Sequence, residues 1–124
     1  MKPLICAFLA TLTLITPHTA IGAINADSWH FRGYTDQTLI ALEQCESGRR
    51  TKIKVWDNGS WSFGVLQFKF LTMEFYSRRY GIRDVITEQD MYNVDLQRRV
   101  ATEMLKEKNG IYHWYNCGKK LKLI

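Results

Sequence analysis

The chain is poor in the residues that build metal sites. Only His30 and His113 of its three histidines lie beyond the first 22 residues, no two of its three cysteines form a CxxC pair, and no HExxH occurs. Zinc-type chemistry therefore has no ligand set, and no metal or other cofactor is expected. The N-terminal apolar run, Leu4 to Ile15, stops at Pro17 and is shorter than the ~20 residues a membrane-crossing helix needs. The nucleophile elbow of a serine hydrolase is missing too. Around Trp61-Ser62-Phe63-Gly64 the first glycine is replaced by Ser60, and 124 residues are too few for that α/β fold.

What is present begins with a secretory pattern: Lys2, then the apolar core, then small residues at Ala20-Ile21-Gly22 or Ile21-Gly22-Ala23 that suit a signal peptidase. Residues 1–22 are expected to be removed and the protein to be exported, as a periplasmic or secreted chain. Cys6 precedes most of the apolar core, so no lipid anchor is expected and no stable membrane attachment. The remaining residues, 23–124, make one domain with one core. Without Lys2 they carry 16 Lys and Arg against 12 Asp and Glu, a charge of +4. Such a charge draws an exported protein to anionic polymers without choosing among them. The two remaining cysteines, Cys45 and Cys117, are most simply read as one disulfide in an oxidising compartment.

Along the chain, Ile24 to Tyr34 reads as an irregular arm with Trp29 and Phe31 free to pack. Thr35 is a good N-cap, and Leu39, Leu42 and Glu46 follow at helical spacing, placing Glu46 toward the buried face. Cys45-Glu46-Ser47-Gly48 closes that helix. From Thr51 the period changes to two, with Asp57-Asn58-Gly59 as a hairpin turn flanked by Trp56 and Trp61. Either tryptophan suits a sugar face or a core equally well. Lys69 to Tyr80 reads as a helix marked by Leu71 and Phe75 and stopped by Gly81. Thr87-Glu88-Gln89-Asp90 reads as a capping box opening a helix to Asn109-Gly110, with Met91, Val94, Ala101, Met104 and Leu105 on its core face. Arginine pairs 49/50, 78/79 and 98/99 read as solvated. The lysines at 119, 120 and 122 read as a disordered tail.

Three short elements carry a resemblance. Glu46-Ser47 ends a helix, Gly64-Val65-Leu66-Gln67 follows a hairpin, and Tyr115-Asn116-x-Gly118 lies near the C-terminus. In this order they resemble the lysozyme-like superfamily, and within it the transglycosylase domain of lytic murein transglycosylases. The resemblance covers residues 35 to 117. It implies an α+β fold, mostly helical, with a small β-hairpin beside the cleft, and a monomeric domain acting on peptidoglycan glycan strands instead of nucleic acid. Glu46 is the implied catalytic acid, and Ser47, Gln67, Tyr115 and Trp61 are candidate substrate contacts.

Glycosidases commonly use two carboxylates. In animal-type lysozymes the second lies two residues before the glycine of the Gly-x-Leu-Gln element, where this chain has Ser62. Asp57 is the nearest substitute. A lytic transglycosylase needs only one acid, so Glu46 alone would suffice to form 1,6-anhydro ends. Two alternatives stand beside that expectation: a hydrolytic muramidase of the same fold, and a non-catalytic exported wall-glycan-binding protein.

Overall fold

The computed structural model describes residues 36–124; Thr35, the expected arm and the signal-like segment lie outside the described residues. Helix α1 (Asp36–Ser47) buries Leu39, Leu42, Glu43 and Ser47, a stripe at helical spacing. Its chain leaves through two left-handed residues, Gly48 (φ +62°) and Arg49 (φ +59°). Their N–H groups return to Gln44 O and Glu43 O, so the helix end is satisfied where Glu46 sits.

Strands β1 (Lys54–Asp57) and β2 (Ser60–Phe63) pair antiparallel, with Trp56 opposite Trp61 and Asp57 opposite Ser60. Asn58 (φ +49°) and Gly59 (φ +84°) form the tip. Positive φ at both central residues is what an Asn-Gly turn supplies, and it matches the twist of the strands. The expected ribbon gains a third short strand, β3 (Phe68–Lys69), so the sheet runs β1-β2-β3. Lys69 Nζ bonds to the carbonyls of Asp57 and Ser60, clamping the tip from below.

Between β2 and β3 the turn Gly64–Gln67 dives into the core: Val65 and Leu66 are fully enclosed. Buried peptide groups need partners, and side chains from three other elements supply them. Gln97 accepts from Leu66 N–H at 2.9 Å while its amide nitrogen donates to Phe63 O at 2.8 Å and Met91 O at 2.5 Å. Ser47 Oγ donates to Val65 O at 2.7 Å, and Trp114 Nε1 donates to Leu66 O at 2.9 Å. Gly64 is required twice over. Its φ is +69°, and a Cβ there would lie 2.5 Å from Gln97 Nε2. The close neighbours that demand glycine are thus Gln97 and the main-chain oxygen of Met91, 2.9 Å from the same Cβ.

Helix α2 (Phe70–Arg79) buries Met73 and Ser77, whereas Leu71 and Phe75, whose spacing marked the helix, point to solvent. The expected helix from Thr87 is two elements. Thr87 and Asp90 do form reciprocal bonds, but these open only a 3₁₀ turn, Gln89–Tyr92. Asn93 breaks it with extended φ/ψ and caps α3 (Val94–Lys106) by accepting from Leu96 N–H at 3.0 Å. The core face of α3 includes Leu96, Gln97 and Val100 besides Ala101, Met104 and Leu105. After Lys106 the chain folds back, and Gly110 lies where a Cβ would strike Met104 O. A 3₁₀ turn, Gly110–Trp114, leads to α4 (Tyr115–Lys120). Disorder was expected of the basic tail, but Lys119 and Lys120 close α4 and Lys122 follows in a turn, with Leu121 and Leu123 packed against the core.

The described residues thus form one small mixed α/β domain of four α-helices and a three-stranded antiparallel sheet. No helix among them is long and apolar enough to cross a membrane. The Cys45–Cys117 disulfide joins α1 to α4 across 72 residues, with Cα atoms 5.9 Å apart.

Replacing both cysteines by serine should lower stability by ~4 kcal/mol, the loop-closure entropy released to the unfolded chain, as measured by denaturant unfolding. A free-thiol assay on the denatured parent should find no reactive thiol at Cys45 or Cys117. Gln97→Leu strands three main-chain groups at ~1–3 kcal/mol each, so its unfolding free energy should fall by at least ~3 kcal/mol, with a lower denaturant midpoint; an unchanged midpoint would mean that the turn is held by other means.

Candidate functional site

A cleft of about 480 Å³ opens between the C-terminal turn of α1, the inner side of the hairpin and the Tyr112–Cys117 segment. Glu46, Asp57, Ser62, Gln67, His113 and Tyr115 all line it. The fold explains each placement. Glu46 is delivered by the last turn of α1, which the disulfide at Cys45 and the Ser47 hydroxyl hold from either side. Ser62 faces the cleft while Trp61 faces the other side of the hairpin, as period two demands. Gln67 ends the buried turn in a left-handed conformation (φ +52°), its side-chain amide donating to Gly64 O at 2.9 Å. Its carboxamide is therefore oriented by its own turn, at the cleft wall.

Glu46 has no ion-pair partner among the described residues. Burial, first, and the negative charge of Asp57, second, push its carboxyl from the ordinary 4.5 up to about 7. The C-terminal end of α1 acts in the same direction, since carbonyl dipoles disfavour a nearby anion. No ion pair offsets these effects: among the described residues the arginines nearest in sequence, Arg49 and Arg50, bond to Glu43 and to Ser47 O. The outcome is a carboxyl that still holds its proton near neutrality, facing a solvent-filled groove.

His113 also borders the cleft, its Nε2 3.0 Å from the Tyr76 hydroxyl. Burial holds its pKa below the usual histidine value, against the opposing pull of Glu107. Burial thus favours the neutral form of the ring. Tyr112 and Tyr115 stand beside it with ring centroids 6.0 Å apart, both exposed; Trp56, 59% exposed, is paired opposite Trp61 on the same face of the hairpin and also borders the cleft. Flat apolar faces around a polar floor are what a pyranose ring needs: C–H surfaces on aromatics, hydroxyls on amides and carboxyls.

Of the residues expected from sequence, Glu46, Gln67 and Tyr115 come together in this cleft, and Trp56 and Asp57 join them. Ser47 does not. It is buried, and its hydroxyl is spent on Val65 O and Glu43 O, so its role is to lock α1 to the turn. Trp61 touches Trp56 edge to face at 5.2 Å but lines a separate groove on the far side of the hairpin. His113 and Tyr112 were not singled out beforehand; the density of aromatics from 112 to 115 was their one sequence signal. Glu43 was missed as well. It is 1% exposed and clasped by Arg98, with Nη2 at 2.9 Å, and by Arg49 Nε at 3.3 Å. Two of the arginines read as solvated are thus structural.

A carboxyl whose folded pKa is raised contributes stability in its protonated form: the contribution is complete below about pH 4.5 and is lost as pH rises through about 7. Glu46→Gln copies the neutral form at every pH. The variant should match the parent at pH 4 and melt at a higher temperature than the parent at pH 8.5, by a few degrees. A parent that gains on the variant as pH rises would show that the ionised carboxylate is the form the fold prefers.

Compared with protein-family models, with curated proteins and with solved structures, the chain matches none of them.

Proposed function

We propose that the chain is a peptidoglycan lytic transglycosylase with a lysozyme-like fold, cleaving the β-1,4 bond between N-acetylmuramic acid and N-acetylglucosamine. The observation that carries the reading is Glu46: a carboxyl pushed up to about 7, lining an open cleft with aromatic walls. General acid catalysis needs a group that holds its proton at working pH and gives it up readily, and such a pKa meets both demands. The helix-end acid with a hairpin opposite and an ordered glutamine between them agrees with the lysozyme-like arrangement. A solvent-facing cleft at the edge of an exported domain suits a polymer that must enter from the side.

In this reading Glu46 gives its proton to the bridging oxygen as the C1–O bond breaks, and positive charge develops at C1 and the ring oxygen. The carboxylate so formed then takes the proton from the C6 hydroxyl of the same muramyl residue while O6 bonds to C1. Glu46 ends protonated, no water is consumed, and the product is a 1,6-anhydro ring. Ser62 supports this route because it borders the cleft and stands where a second carboxylate would otherwise be expected.

Asp57 gives a second reading its footing. It lines the same cleft and its charge acts on Glu46, so a hydrolytic muramidase could use it to stabilise the oxocarbenium centre or to activate water. Its exposure, and the Lys69 ammonium 3.8 Å away, favour the role of turn former tethered to β3.

Mass spectrometry of digested murein separates the readings. Transglycosylation gives 1,6-anhydromuropeptides, each one water lighter than a hydrolysis product, and Glu46→Gln should lower their formation by ~10²–10⁴. The rate should fall as pH rises through about 7, when Glu46 loses its proton. Reducing muramic ends would select the muramidase, with Asp57→Asn then inactivating. Glycan binding without either product would leave a wall-binding protein.

A further inference from the structure

The β1 side of the hairpin, Val55 to Asp57, forms one wall of the cleft, yet packing does little to hold it. Every residue of β1 is exposed, and in β2 burial begins only at Ser62. Trp56 and Trp61 meet edge to face, but that contact lies within the hairpin and does not fix it to the body. A two-stranded ribbon of this kind is marginally stable by itself. Its base is anchored by Lys54, which pairs with Glu88 at 2.8 Å. Its tip is reached from outside by Lys69. This residue stands opposite Ser62 in β3, at the buried end of the ribbon, and its side chain runs outward to the turn. There Nζ donates to Asp57 O and, at 3.0 Å, to Ser60 O, and it lies 3.8 Å from the Asp57 carboxylate. One ammonium therefore ties both strands together at the turn, and two of its bonds go to main-chain oxygens that no side-chain change at Asp57 removes.

We propose that Lys69 is a positioning residue for Glu46: by strapping the hairpin tip to β3 it holds the Val55–Asp57 wall, and with it the Asp57 carboxylate, against the cleft. The assignment rests on Glu46 as the acid of the proposed reaction and adds the residue that sets its surroundings. Two causes keep the proton on Glu46, its enclosure and the charge of Asp57. The wall contributes to the first and carries the second. The titratable groups around the cleft are Asp57 and Lys69 from the sheet and Tyr112, His113 and Tyr115 from the C-terminal segment. Of these it is Asp57 whose charge acts on Glu46. On the acid's own side, Glu43 and Arg49 bond to each other and Arg50 bonds to Ser47 O. Lys69 thus borders the cleft without acting on the acid directly, and its influence runs through the position of the hairpin.

Lys69→Met keeps the apolar stem and removes the ammonium. Followed by NMR titration, the Glu46 carboxyl should bind its proton about tenfold more weakly than in the parent, where it titrates at about 7. The Asn58 and Gly59 amides should exchange faster as the tip comes loose. Lys69→Gln, neutral and too short to reach both carbonyls, should give the same result and serves where Lys69→Met does not fold. A cation that merely screened Asp57 would act the other way, since its loss would leave Asp57 to repel Glu46 more strongly. An unchanged or tighter proton on Glu46 would therefore overturn the proposal. So would a loosening that vanishes in the Asp57→Asn background, because the wall itself would then not have moved. On murein, Lys69→Met should lower the rate about fivefold at pH 7, the loss of protonated acid that a tenfold weaker proton implies, and should approach the parent at pH 5, where both acids are protonated. An equal loss at both pH values would overturn the proposal in favour of a general role in stability. If neither protein cleaves murein at any pH, the proposed activity fails, while the titration still decides the part played by Lys69.

Discussion

Three hydrogen bonds from one carboxamide, that of Gln97, set the geometry on which the rest depends. The turn from Gly64 to Gln67 has to cross the core to bring β3 back under the hairpin, and its peptide groups lose water when it does. Gln97 satisfies one N–H and two carbonyls, while Ser47 and Trp114 complete the set from α1 and from the C-terminal 3₁₀ turn. Each partner comes from a different part of the chain. The turn is therefore fully bonded only when α1, α3 and the C-terminal segment are all in place, and these are the elements that bound the cleft. Apolar packing of Leu42, Leu66, Met73 and Met104 supplies the bulk of the driving force; the polar cluster makes one arrangement of those layers the satisfied one.

The two carboxyls of α1 show how position decides chemistry. Glu43 and Glu46 stand three residues apart on one helix, neighbours on its surface. Glu43 faces α3 and is enclosed with Arg98 and Arg49, where removal of both arginines would leave a buried charge uncompensated, at a cost of ~3–5 kcal/mol. Glu46 lines the cleft with no ion pair among the described residues and with the charge of Asp57 acting on it, so burial and repulsion both act on the same proton. One acid is committed to structure and the other is left reactive. The arginines that draw Glu43 inward are held there, and they are not available to quiet Glu46.

Much of this was legible in the sequence where the signal is local. The Asn-Gly turn requires positive φ and forms; Cys45 and Cys117 are the two cysteines beyond the N-terminal segment and pair; the Glu46-Ser47-Gly48 helix end closes as its glycine indicates. Signals that depend on tertiary partners were misleading or mute. Leu71 and Phe75 have helical spacing but lie on the face of α2 that no other element covers, so the pattern identified the helix and mistook its inner side. Asn93 breaks the helix expected from Thr87 because its side chain serves α3 better as a cap than as a continuing residue. Gln97 and Glu43 look like ordinary surface residues until their partners, 31 to 55 residues away, are seen. Ser47 was expected at the site from its place in the Glu-Ser pair and Trp61 as an aromatic beside the hairpin turn; the inward face of α1 buries the first, and the alternation of β2 turns the second to the far side of the hairpin.

The central claim is that the fold keeps a proton on Glu46, and direct titration of that carboxyl carbon by NMR tests it. The expected value is about 7, and it should fall in Asp57→Asn, which removes the repelling charge while leaving the burial. A titration centred near 4.5, unmoved by Asp57→Asn, would contradict the account.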